Sequence, residues 1–479
     1  MEEKKIYDIH CHAMNLSHPC LLAFIQRFNI HLLLVLAAIL GPLGFLLSKK
    51  INKIKNLLSV MENDIKGVFM LMEKGMKNHT HSLYKDGKIT IGGNSYSKIV
   101  LTPLMIDFGY RNSDNPCIHY NEPSRKPIVE QVVDVFNGIR YYKNHHQNIE
   151  KLFEIYPFLG INTQNYYLGK ETTQKISCKP SLHLLPKNLS RKVKYREKSK
   201  KLVFHGEMSL SEKNELVKIF NHIDDILAVE RLYKKSQHIK YRNTIPKILD
   251  KYFGNYKASQ SDLLSKMGEF NGNIEDISSN FFAGIKLYPP LGFDPWPDGD
   301  TEELRKVRYL YKYCSKKNIP LTIHCNDSGF IVTNKRTAIK YTSPDKWEKV
   351  LKNYPDLKIN LAHFGKKSNF LFFPVNTWTK KVLKLIADNK NVYADFSCMG
   401  NENRFYKWVR KTIDKFPEDK REKLRSRILF GTDFSINLIW CNSYSDYFRS
   451  FADTNHLQLK EKDLFCSDNP ERFLFSGKK

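Results

Sequence analysis

Along this chain, short apolar runs recur, and several end in a single polar side chain: IYDIHCH at 6–12, FAGIKLYPP at 282–290, IPLTIHCN at 319–326, LKINLAHFG at 357–365 and RILFGTDF at 427–434. The polar residues at these ends are His10 and His12, Lys286, His324, His363 and Asp433. Runs of this length, apolar on both faces, predict buried parallel strands. From Lys286 onward the beat is regular: 38 residues to His324, 39 to His363, then 70, or two units of 35, to Asp433. A strand–helix–strand unit needs roughly 30 residues or more, so NVYADFSC at 391–398 supplies the intervening strand. The segments 301–318, 343–355, 379–389 and 403–416 carry apolar stripes at helical period and fill the gaps as helices.

Upstream the beat is looser. Strands are expected at 5–11, 98–108 and 153–162, with a helix at 127–142. The resulting fold class is α/β, a single (β/α)8 barrel over 1–479 interrupted by two mostly helical insertions, at about 20–95 and 165–275. In that fold, side chains at the C-terminal strand ends build the active site.

The first insertion holds the most hydrophobic segment, 32–47 (LLLVLAAILGPLGFLL). Sixteen residues broken by Gly41, Pro42 and Gly44 fall short of the ~20 that cross a bilayer. A crossing there would also separate the first strand from the other seven. The segment reads as a buried helix or hairpin, or as an interfacial anchor making peripheral membrane contact.

Hydrophobic content of 41% with 13% aromatic residues suffices for a large core. Nine cysteines without CxxC spacing suggest reduced thiols in a cytoplasmic protein, and the N-terminus runs straight into a strand without a secretory signal. The net charge of +27 fits an anionic small-molecule substrate, an anionic lipid surface or a solvated basic exterior. No nucleic-acid motif accompanies the lysines, so nucleic acid is not expected. A homodimer is one assembly left open by the sequence.

Residues i and i+2 of a strand share a face, so His10 and His12 project together as half of a metal coordination sphere. The pair His79 and His81 has the same spacing but lies in a polar stretch and reads as solvated loop. His324 and Asp433 would complete the ligands. Asp8 reads either as support for His10 or as a buried residue paired with a barrel lysine.

These motifs, with YPDLKINLAHFG and the closing SDNPERFLF at 467–475, resemble the amidohydrolase superfamily, in particular its amidohydrolase-2 branch of metal-dependent hydrolases and non-oxidative decarboxylases. The resemblance covers the first strand and nearly everything after residue 276. It implies that His10, His12, His324 and Asp433 bind one divalent metal, zinc being the expected ion, and that Asp433 also accepts a proton from metal-bound water. It implies that His363 either completes a second metal site or polarises a substrate carbonyl. Lys286 becomes a bridge to a second metal if it is carboxylated, and otherwise a charged pocket wall. Tyr288, Asn326, Asp327, Arg111 and Arg404 sit where loops could reach a substrate. The leading expected reaction is hydrolysis of an amide, lactone or ester, with decarboxylation at the same site as the alternative. A barrel that has lost activity and serves as a scaffold is a further reading, which the intact ligand set disfavours.

Overall fold

The computed structural model describes residues 4–19, 44–78, 83–108, 126–145, 150–237, 243–261, 263, 270–273, 277, 279–366 and 377–475. Most of segment 32–47, the pair His79 and His81, and Arg111 lie outside them.

Among the described residues, nine short strands run parallel. They are β1 (Lys5–Cys11), β2 (Lys98–Pro103), β3 (Phe153–Ile155), β4 (Phe158–Gly160), β5 (Gly284–Leu287), β6 (Leu321–Ile323), β7 (Ile359–Leu361), β8 (Val392–Asp395) and β9 (Ile428–Leu429). They form one sheet in the order β1-β2-β3 and a second in the order β9-β8-β7-β6-β5-β4. Parallel bridges join the two, Leu104 with Phe158 and Cys11 with Phe434. The single strand expected over 153–162 is split at Tyr156-Pro157, where proline cannot donate to a ladder. All of β4 to β9 is buried, which is why these runs read as apolar throughout rather than alternating.

Helices Glu302–Lys317, Pro344–Asn353, Thr377–Asp388 and Asn403–Ile413 alternate with the strands, as their stripes predict. Their ends carry recognisable signals. Thr301 accepts from the Leu304 amide at the start of the first, and Asn318 ends it in a left-handed conformation, the geometry that stops a helix. Trp347 and Tyr311, fully buried, meet edge to face between the first two helices.

The two upstream segments differ from expectation in one respect. Helices are present at Gly44–Glu62, Ile65–Asn78, Leu210–Val217, Ile223–Gln237 and Ile245–Phe253. Residues 171–205, where helix was expected, instead build an antiparallel sheet from Glu171–Lys175, Val193–Arg196 and Lys201–His205. Val193, Leu202 and Phe204 turn into a separate small core with Leu216, Val229 and Leu232. The lysine-rich composition hides this, because long lysine stems on a strand's outer face look like a helical surface. A second small antiparallel meander occupies 84–96. Among the described residues, no helix is long and apolar enough to cross a membrane.

Close approach at the junction of β1 and β9 depends on Gly431, where a Cβ would stand 2.7 Å from the His10 Cβ. Gly431→Ala therefore forces the two chains apart at the site. We expect a loss of about 1–3 kcal/mol, measured as a lower urea midpoint; an unchanged midpoint would contradict this packing.

Candidate metal centre

The ends of β1, β6, β7, β8 and the segment after β9 place His10, His12, His324, His363, Asp395 and Asp433 together, all buried. His10 of β1, and His12 just after it, follow a register shift in that strand. Asp8 pairs with Leu101 but Cys11 with Pro103, so β1 holds one residue more than β2 across this stretch. Such bulges re-aim side chains near functional sites. Of the two readings of Asp8, the supporting one fits its hydrogen-bond partners, which include the His10 amide and, among the described residues, no lysine. Its carboxylate accepts from the Thr432 amide at 2.9 Å, the Thr432 hydroxyl at 2.7 Å, Tyr444 at 3.0 Å and the His10 amide at 3.3 Å. It thus ties the start of the site to the residue preceding Asp433.

Each imidazole is anchored through one ring nitrogen. His10 Nδ1 meets Asp395 Oδ2 at 3.0 Å, and His12 Nδ1 meets the Leu104 carbonyl at 2.8 Å. His324 Nε2 meets the Ser328 carbonyl at 2.7 Å, and His363 Nδ1 meets the Ser397 carbonyl at 3.2 Å. A carbonyl or carboxylate only accepts, so the anchoring nitrogen must carry the hydrogen; the tautomers are assigned on that basis. The other nitrogen of each neutral ring then presents a lone pair.

Those lone pairs converge. His10 Nε2 lies 3.3 Å and His12 Nε2 3.1 Å from Asp433 Oδ1. His324 Nδ1 and His363 Nε2 face each other at 3.2 Å. Lone pairs directed at a carboxylate oxygen and at one another repel unless a proton or a cation lies among them. His10 Nε2 is also buried without a hydrogen-bond partner, a costly condition unless the atom is reserved for a ligand. The ligating atoms of His10, His12 and Asp433 lie within 4.8 Å of one another, as do those of His10, His363 and Asp395. The residues present therefore fit a divalent cation, and the anchoring pattern is the outer layer that metal-bound histidines use.

Charge at the site is set by burial and by the carboxylates. Burial pushes His363 down to about 3 and lowers His12, so both rings are neutral ligands or acceptors. For His10, burial and Lys286 are outweighed by Asp395 and Asp433, which raise it, so without a cation this ring favours a proton between Nε2 and Asp433 Oδ1, the place a metal would take. Burial alone would raise Asp433, but its contacts with His10 and His12 hold it well below the usual carboxylate range. Asp395 is lowered in the same way, against burial, by His10.

Lys286, at β5, is buried with no hydrogen-bond partner on Nζ, which stands 5.8 Å over the Tyr288 ring. Burial lowers it to about 8, partly offset by Asp395 and Asp433. A lysine whose folded pKa lies below its unfolded value opposes folding while charged. That penalty is full below about pH 8 and fades as pH rises towards 10.5. In metal-free protein Lys286→Met should therefore raise stability at neutral pH by about 1–3 kcal/mol, with the two midpoints converging near pH 10.5. A lower midpoint for the variant at neutral pH would contradict this.

The remaining expected residues divide. Tyr288 belongs to the site: its ring stacks on His324 at 4.4 Å, and its hydroxyl accepts from the Phe330 amide. Asn326 acts on the loop, its Oδ1 accepting from the Ser328 amide and hydroxyl, which presents the Ser328 carbonyl to His324. The Asp327 amide donates to the Lys366 carbonyl in the same loop. Arg404 is not brought to the site; its side chain is 90% exposed and pairs with Glu402, because the helix that begins there turns it to solvent.

Asp395 is the main residue that the sequence reading passed over. It binds His10, accepts from Asn360 Nδ2 at 2.7 Å, and takes the amides of His363 and Ser397 at 3.2 and 3.0 Å. Its signal was present, an acidic residue ending the apolar run NVYAD, the same pattern as the other strand ends. Gly329 was also passed over. Its φ is +127°, and a Cβ there would stand 2.4 Å from the Tyr288 hydroxyl and 3.0 Å from His324 Nε2.

Residues 273–475 match the family described as Amidohydrolase. A search of curated proteins finds no match. Similar solved structures include an uncharacterised TIM-barrel protein from Bordetella bronchiseptica, 21% identical over 41% of this chain and 58% of that one, with a TM-score of 0.28. Others are a probable 2-pyrone-4,6-dicarboxylic acid hydrolase from Acinetobacter baumannii (14%, 53% and 79%, TM-score 0.29) and a 2,6-dihydroxybenzoate decarboxylase from Rhizobium (14%, 55% and 78%, TM-score 0.29). The chain spans 58% of the length of the first of these.

Proposed function

For a chain whose residues 273–475 match the amidohydrolase family, we propose a metal-dependent hydrolase that cleaves an amide, lactone or ester. The observation that carries this reading is the buried cluster of His10, His12 and Asp433, whose ligating atoms lie within 4.8 Å of one another, with His363 reaching both Asp433 and His324. The scaffold is proposed to be a (β/α)8 barrel, supported by the two parallel sheets and the bridges between their edges. The segments around 20–95 and 165–275 are proposed as its insertions, and the separate core of the latter supports this.

His10, His12, His324 and Asp433 would hold one divalent cation, with zinc the ion that suits neutral imidazoles and one carboxylate. When bound, the cation supplies Lewis-acid polarisation and lowers the pKa of water. Asp433, fully ionised at neutral pH, takes a proton at its carboxylate and passes it to the leaving group. His363, neutral and fixed by Ser397, is placed to steady charge developing on the substrate oxygen. Lys286 faces the same point with an unpaired ammonium and suits an anionic substrate group.

That lysine also favours the second reading, in which the same site decarboxylates a carboxylated substrate. Incubation in 18O-labelled water separates the two. Hydrolysis places the label in the product carboxylate, whereas carbon dioxide release with no incorporated label would sink the hydrolase reading.

A further inference from the structure

The two oxygens of Asp433 face different partners. Oδ1 faces the nitrogens of His10 and His12, while Oδ2 lies 2.6 Å from the Cys398 sulfur. Cys398 follows β8 by three residues and is buried, 9% exposed. Its Sγ, a ring nitrogen of His363 and a carboxylate oxygen of Asp433 all lie within 4.8 Å of one another. This sulfur therefore stands with His363 and Asp433 as a third candidate ligand atom.

The backbone supports the same conclusion. Cys398, His363 and Asp433 have φ of +59°, +58° and +62°. Left-handed backbone is ordinary for asparagine or aspartate in turns and uncommon for cysteine. Three such residues meeting at one point indicate strain retained where function requires it. A cysteine serving only as a small core residue would need neither this conformation nor contact with an ionised carboxylate. His10 Nε2, buried without a hydrogen bond and 3.3 Å from the other oxygen of Asp433, is a separate sign that a ligand belongs beside that carboxylate.

We propose that Cys398 supplies a thiolate ligand to the metal centre, in addition to the histidines and Asp433. The proposal rests on the metal-binding reading above and narrows it. Coordination replaces the thiol proton, which passes to solvent, and no oxidant or reductant is involved. A thiolate among imidazoles selects a borderline-soft ion such as zinc, cobalt or cadmium over magnesium or manganese.

The test is cobalt(II) titration of metal-free full-length protein, read at two wavelength ranges. Visible d–d bands report binding, and a near-ultraviolet sulfur-to-cobalt charge-transfer band reports a thiolate ligand. Wild-type protein should show both. Cys398→Ser should keep the visible bands and lose the charge-transfer band, with zinc affinity reduced about 10–100-fold or more, since a direct ligand matters at least as much as an outer one. Cys325→Ser, whose sulfur points to the Thr342 carbonyl, should keep both. Visible bands without a charge-transfer band in the wild type would overturn the thiolate and leave the metal site standing. A charge-transfer band that survives in Cys398→Ser would do the same. Failure to bind cobalt at all would overturn both. Because the wild-type spectrum is decisive by itself, poor folding of the serine variant does not rescue the proposal.

Discussion

Asp433→Ala is expected to abolish retention of a divalent cation and to lower turnover by about 10^2–10^4-fold, the span associated with a positioned acid/base group. The expectation follows from what the carboxylate faces. Its Oδ1 stands 3.3 and 3.1 Å from two imidazole nitrogens whose other nitrogens are committed to Asp395 and Leu104. Remove the carboxylate and the site keeps neutral donors but loses its anionic ligand, so metal affinity and proton transfer fall together. Asp433→Asn preserves volume and should behave like the alanine, because an amide neither neutralises the ion nor takes the proton. Metal content by elemental analysis and turnover on any active substrate check both halves. A variant that retains metal and full turnover would remove Asp433 from the account.

Asp395→Ala is the second large effect, and it appears in stability as well as in binding. The carboxylate is buried, and it receives Asn360, the amides of His363 and Ser397, and the His10 ring. Deleting it strands those donors in a closed interior. Breaking a buried charged network by removing one partner costs about 3–5 kcal/mol. His10 also loses the contact that fixes its tautomer, which should weaken metal binding by about 10–100-fold. Denaturant unfolding of metal-free protein isolates the first effect, and zinc titration in a competing chelator reads the second. A stability within 1 kcal/mol of wild type would show that Asp395 is not the organising carboxylate proposed here.

A smaller effect is expected at Gly329. Alanine there takes on a left-handed backbone and collides with Tyr288 and His324. The cost is about 1–3 kcal/mol, with weaker metal binding because His324 is displaced. Unchanged zinc affinity in Gly329→Ala would mean that the 326–330 loop does not position His324.

Much of this site was legible in the chain because parallel strands are apolar throughout, and a polar residue ending one stands out. His10, His12, His324, His363, Lys286 and Asp433 were all found that way, and the structure gathers them. Asp395 obeys the same rule but sits inside a run whose only apparent task was to complete a count of strands. Other features left no side-chain signal to read. The anchors of His12, His324 and His363 are the carbonyls of Leu104, Ser328 and Ser397, which any residue type would provide. Of the two readings left open for Asp8, support for His10 is the one its hydrogen bonds fit, whereas the register shift between Asp8 and Cys11 left no signal in the sequence. Arg404 illustrates the opposite error: proximity in sequence to a strand end says nothing about which side of the following helix faces solvent.

The most direct measurement is the metal content of purified chain after loading with zinc and desalting, compared with the double variant His10→Ala/His12→Ala. About one equivalent is expected in the wild type and essentially none in the variant. Two equivalents, lost together in Lys286→Ala, would replace the mononuclear site with a bridged pair. Zinc bound equally by both proteins, or by neither, would contradict the claim that these strand ends form a metal centre.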